Sequence, residues 1–148
     1  MTPNFWKLSH GTNHFSKEEI SQSIENRLVY VHRDTRSKGR SYNTQGEDFV
    51  GAPVGDYFYM TYGNQGIYLL GQFSGPTNLF STKGHGWLDR PYRIIRMAIP
   101  NTGYQGDKKW WTPNDNSTFT RVPERDITVF EGLILQRFFG LTLANYGL

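Results

Sequence analysis

The chain contains no cysteine. That absence excludes disulfide staples, thiolate zinc sites and cysteine nucleophiles together. No stretch approaches the ~20 apolar residues that cross a bilayer. The opening Met1-Thr2-Pro3-Asn4-Phe5-Trp6-Lys7 has no charged start leading into an apolar run, so no secretory signal is expected. The expectation is a soluble, cytoplasmic protein with no membrane partner. The phosphate-binding G-x-x-x-x-G-K-[ST] loop, a strand-linked G-x-G-x-x-G and the G-x-S-x-G nucleophile elbow are all missing. These gaps disfavour a nucleotide-driven motor, a dinucleotide enzyme and a serine hydrolase.

The remaining acid, base and metal-type residues are weakly arranged. His10 and His14 lie four apart, but Gly11 and Asn13 put them in a turn. One capping and one exposed loop histidine is the plainer reading, so no metal site is expected. Glu18-Glu19 and Glu47-Asp48 could pair as acid and base. Glu18 and Glu19 would face different sides of a helix, where they suit capping and the helix dipole. Neither catalysis nor a cofactor is expected.

What is present is aromatic and basic. The 148 residues, about one domain's worth, carry a net charge of +3, and aromatics make up 16%. That mild positive excess favours an anionic partner, and so rich an aromatic content suggests that some rings are exposed for binding.

Along the chain, Phe5 to Ser9 alternates bulky and polar residues and reads as a strand. Ser16 and Glu19 form a capping box ahead of Ile20, Ile24 and Leu28 at helical spacing, which predicts a helix from about Lys17 to Asn26. Leu28 to His32 reads as a second strand. Arg33 to Gly46, with Arg33, Arg36, Lys38 and Arg40 within eight positions, reads as a mobile surface loop. Tyr57–Tyr62 and Ile67–Phe73 form a predicted hairpin, and Tyr92 to Ile99 a further strand. Pro100 to Thr118, with Trp110-Trp111, is a long polar connection of the kind that often carries function. Thr128 to Phe139 has the spacing of a closing helix. The predicted class is α+β, a small mixed β-barrel flanked by helices. Residues 1–140 form its domain and residues 141–148 the start of a linker.

Aromatic faces stack on bases and basic side chains meet phosphates. Phe58, Phe73, Phe130 and Phe138 read as core, while Tyr57, Tyr59, Tyr62 and Tyr68 divide between core and rim. Trp87 follows Gly84-His85-Gly86 outside any apolar run, which suits a pocket wall and equally a core ring.

This order of motifs resembles the PUA-like superfamily, in its EVE and YTH branches, over roughly Phe5 to Phe139. The YTH-like segments are Phe5-Trp6-Lys7-Leu8-Ser9, Phe15-Ser16-Lys17-Glu18-Glu19-Ile20, Leu28-Val29-Tyr30-Val31-His32 and Gly86-Trp87-Leu88-Asp89-Arg90-Pro91-Tyr92-Arg93-Ile94-Ile95. Gly55-Asp56-Tyr57-Phe58-Tyr59-Met60-Thr61-Tyr62 and the strand from Ile67 to Phe73 are similar to an EVE pair. The opening also resembles the DNA-recognition domains of McrBC-type modification-dependent restriction proteins, which sit ahead of a GTPase motor whose motifs this chain lacks.

The resemblance implies a reader of a modified base, turned out of its strand into an aromatic cage. Trp87 matches a cage tryptophan, Tyr30 takes the place of the second-strand tryptophan, and Ser9 and His10 fall where the base edge is bonded. Tyr59 and Tyr62 are further candidate pocket rings. A third cage tryptophan is absent, Phe80 being the nearest ring to its place. Arg33, Arg36, Lys38, Arg40 and Lys83 are the candidate phosphate contacts. The expected partner is nucleic acid, methylated double-stranded DNA first, with N6-methyladenine and C5-modified cytosine both open. A YTH-type reader of methylated RNA and a carbohydrate-binding module are the competing readings.

Overall fold

Alternation at the start of the chain sorts side chains onto two buried faces. In the computed structural model, which describes residues 2–38, 43–63, 66–99 and 103–147, strand β1 (Phe5–His10) sends Trp6 and Leu8 into one core and Phe5 into another. The next elements are helix α1 (Lys17–Asn26), β2 (Leu28–His32), helix α2 (Gln45–Gly51), β3 (Tyr57–Tyr62), β4 (Ile67–Phe73), β5 (Trp87–Met97) and β6 (Phe119–Arg121). Helices α3 (Ile127–Phe130) and α4 (Arg137–Phe139) flank a π-helical segment, Glu131–Gln136. The protein is α+β, and its six strands form one curled, mixed sheet.

The strand order is β2-β5-β4-β3-β1-β6, with β1 and β3 parallel and the other neighbours antiparallel. The long strand β5 changes partner midway: Trp87 to Pro91 pair with β2, and Tyr92 to Met97 with β4. Pro91 has no N–H to give to a ladder, so the change of partner falls where a proline is tolerated.

β2 and β6 end the strand order on opposite sides, yet α2 packs against both. Gln45 is the clasp. Its Oε1 accepts from the N–H groups of Thr118 and Phe119, and its Nε2 donates to the carbonyl of Arg36. Gly46 makes the approach possible, since a Cβ there would lie 2.5 Å from the Arg33 carbonyl oxygen.

One core holds Trp6, Leu8, Phe58, Met60 and Phe73 with Phe119. The other, on the opposite face of β1, β3 and β4, holds Phe5, Tyr59 and Leu70 under Phe130, Ile134 and Phe138 of the last helical run. Nine of the ten phenylalanines are buried, each contributing ~1.5–3 kcal/mol by its removal from water. The aromatic excess therefore serves packing first.

The hairpin, β2 and α1 lie where the sequence places them, and both members of the Ser16–Glu19 capping box are formed. Four features differ. β5 begins at Trp87 rather than Tyr92, because its first half is drawn into pairing with β2. The expected loop from Arg33 to Gly46 ends in α2, whose own capping box joins Thr44 and Glu47. The long connection ends in β6, held by β1. Residues 141–147 are docked rather than a linker: Leu141 is buried, and Tyr146 packs on Phe5 and Tyr57 at 5.4 and 4.7 Å between ring centroids.

Candidate nucleotide-binding site

Where the sheet curls back on itself, a cleft of about 550 Å³ opens between the end of β1, β2, the start of β5 and the segment before β6. Its lining combines the rings of Phe15, Tyr30, His32 and Trp87 with polar residues that include Ser9, Asp34, Asn116 and Thr118. The volume lies within the ~300–1,000 Å³ usual for small-ligand pockets.

β-sheet register places two of the rings. Tyr30 lies opposite Asp89 and His32 opposite Trp87, so alternate residues of β2 and β5 share one face. The His32 and Trp87 rings meet edge-on at 5.1 Å. Gly86 allows this contact: its φ is +81°, and a Cβ there would lie 2.5 Å from His32 Nε2.

Phe15 completes the wall. It precedes the N-cap of α1 and packs with Ile20, four residues into the helix, as a hydrophobic staple. Its ring stands 5.4 Å from Trp87 and 5.7 Å from Tyr30. The Tyr62 hydroxyl donates to the Phe15 carbonyl and so holds this turn from below. Burial, with Asp89 and Glu19 acting in the same direction, raises the Tyr30 phenol pKa, leaving it a protonated donor at neutral pH.

Several expected site residues have other roles. His10 is fully buried and outside the cleft lining: its Nε2 accepts the N–H of Tyr30 at 3.0 Å. Burial, with the charge of Lys83 adding to it, lowers its pKa to about 3, so the ring is neutral. Tyr59 is fully buried in the other core, where its hydroxyl donates to the Trp111 carbonyl. Tyr62 lies beneath the cleft rather than in its lining. Strand alternation does not distinguish between two buried faces, so it separates neither tyrosine from the pocket candidates.

Lys83 is engaged within the protein. Its ammonium donates to the His14 carbonyl at 2.8 Å and to Glu19 at 3.2 Å, and it sits 3.9 Å from the Phe15 ring centroid and 5.0 Å from that of Trp87. It braces the aromatic wall from behind.

Arg33 and Arg36 are exposed in the segment after β2, close in sequence to Asp34 and Thr35 of the cleft lining; Arg33 lies within 3.2 Å of His85 Nε2 and also lines a neighbouring groove. Lys38 reaches over Trp110 instead, and Arg40 falls outside the described residues. Ser9, Tyr30 and Trp87 are thus brought together as expected, while Phe15, His32, Asn116 and Thr118 join them unforeseen. Only Phe15 had a local signal, the staple position. Phe80 does not complete the cage: it is 88% exposed and lines a separate groove with Leu79 and Val50.

Among the described residues no group of three or more histidines and carboxylates could hold a metal ion, and no helix is long and apolar enough to cross a membrane. No protein-family model matches the chain, and no curated protein matches it. Two solved structures are similar in outline. The Agrobacterium tumefaciens protein Atu2648 is 14% identical over 82% of this chain and 86% of its own, with a TM-score of 0.47. A hypothetical protein from Leishmania major is 12% identical over 62% of this chain and 66% of its own, with a TM-score of 0.39.

Proposed function

We propose that this protein is a non-catalytic nucleic-acid-binding module on a PUA-like scaffold, and that its cleft holds one modified base turned out of its strand. The observation that carries this reading is a cleft of about 550 Å³ lined both by the rings of Phe15, Tyr30 and Trp87 and by the polar residues Ser9, Asn116 and Thr118. A base needs both surfaces: π-faces to stack on, and donors and acceptors for its edge. Turning a base out costs a few kcal/mol. Stacking worth ~1–3 kcal/mol, with edge hydrogen bonds, offsets that cost. Arg33 and Arg36, exposed in the segment that follows β2, supply positive charge for the backbone on either side.

Double-stranded DNA is the first choice of partner, in keeping with the likeness to modification-dependent restriction proteins. The test is titration with matched duplexes carrying no modification, N6-methyladenine, 5-methylcytosine or 5-hydroxymethylcytosine, at one salt concentration, with methylated RNA as a further arm. Tighter binding to one modified duplex supports the reading. Binding to oligosaccharides, insensitive to salt and without binding to any oligonucleotide, would replace it with a carbohydrate-binding role.

A further inference from the structure

We infer that Trp110 and the lysines around it form a second subsite, on which the nucleotide flanking the extruded base stacks while its phosphates are neutralised; this rests on the reading of the cleft as a base pocket. The adjacent tryptophans of the long connection have opposite fates. Trp111 is fully buried, with its Nε1 donating to Asp126 at 3.0 Å. Trp110 is 48% exposed, and the core makes no use of its outer face.

Its backbone is nevertheless pinned. The Trp110 carbonyl accepts from the hydroxyls of Ser117 and Thr120, so the ring is tied to the segment whose Asn116 and Thr118 wall the cleft. The indole and this part of the cleft lining therefore belong to one tied segment, residues 110–120.

The charge around the ring fits such a strand. Lys38 Nζ lies 5.7 Å from the ring centroid, and Lys108 and Lys109 immediately precede Trp110. Lys7 lies beneath, donating to the Asp115 carbonyl and the Ser117 hydroxyl. Burial lowers the Lys7 pKa to about 7 against the pull of Asp115, and the fields of Lys38 and Lys108 push the same way, which places both charges close by. The nearby carboxylates are fewer: Asp107 is exposed, and Asp115 is buried facing Lys7. An exposed indole among lysines suits stacked bases and phosphates without regard to sequence.

The test measures binding by fluorescence anisotropy to short single strands and duplexes with adenine, N6-methyladenine, cytosine or 5-methylcytosine at the centre. The proteins are wild type, Trp110→Ala, Trp110→Phe and the combined Lys38→Gln, Lys108→Gln, Lys109→Gln variant, with melting recorded for each. Trp110→Ala is expected to weaken binding to modified and unmodified oligonucleotides alike, by roughly ten-fold or more. Trp110→Phe should retain most of the affinity. The triple variant should bind more weakly with a shallower salt dependence, and melting should not change.

Wild-type discrimination among bases with Trp110→Ala binding as wild type would overturn the second subsite and leave the base pocket standing. Binding without discrimination that Trp110→Ala abolishes would leave this subsite standing and remove the modified-base reading. No binding to any oligonucleotide would remove both.

Discussion

The backbone N–H of Tyr30 donates to Nε2 of His10 at 3.0 Å, joining β2 to β1 through a side chain rather than a strand ladder. The joint requires a neutral ring, because a protonated Nε2 cannot accept.

This gives an acid-side stability signature. His10 has a pKa of about 3 in the fold against an ordinary value of 6.5. Between those values the unfolded chain binds a proton that the folded chain refuses, so stability falls as pH drops from about 6.5 towards about 3. His10→Gln keeps an acceptor and removes the titration. Its melting temperature should fall less steeply over this window than that of wild type. Parallel profiles would show that His10 is not the group responsible.

The two kinds of cation near the cleft should separate in a salt series. Arg33 and Arg36 are exposed, Arg33 beside His85 and Asp34, whereas the Lys83 ammonium is engaged by Glu19 and the His14 carbonyl. Neutralising both arginines should weaken every duplex alike and make the log–log salt slope shallower by about 2. Lys83→Gln should leave the slope unchanged while loosening the wall behind Phe15 and Trp87. A slope altered by Lys83→Gln and untouched by the arginine pair would reverse these assignments.

Gly86→Ala tests the packing of the wall. The added methyl would meet His32 Nε2 at 2.5 Å, on a backbone at φ +81° that alanine resists. A loss of ~1 kcal/mol or more is expected, together with loss of discrimination between modified and unmodified duplexes as His32 and Trp87 move apart. Wild-type discrimination in a folded Gly86→Ala protein would show that this contact does not shape the site.

Local patterning carried much of this fold. The capping box and the Ile20–Ile24 spacing mark α1, and β-branched and aromatic runs mark β2 to β4, because those elements follow the chemistry of neighbouring residues. α2 was illegible: it has seven residues, two of them glycine, and Gln45 is anchored by backbone groups up to 74 positions away. The three residues of β6 likewise depend on β1. In the site, Ser9, Tyr30 and Trp87 could be reached from motif order. The engagement of Lys83 by α1, and the separation of Tyr59 from the cleft by a second core, are long-range facts that no spacing encodes.

The most direct test compares the discrimination ratio of wild type with that of Trp87→Ala, as affinity for the preferred modified duplex over its unmodified match, with melting of the same samples. If Trp87 stacks on the held base, truncation should remove ~1–3 kcal/mol of binding to modified DNA. Binding to unmodified DNA should change little, so the ratio should fall towards one while the protein remains folded. Equal weakening of both duplexes in a folded Trp87→Ala protein, or an unchanged ratio, would contradict the base pocket and leave Trp87 as part of the packing between β2 and β5.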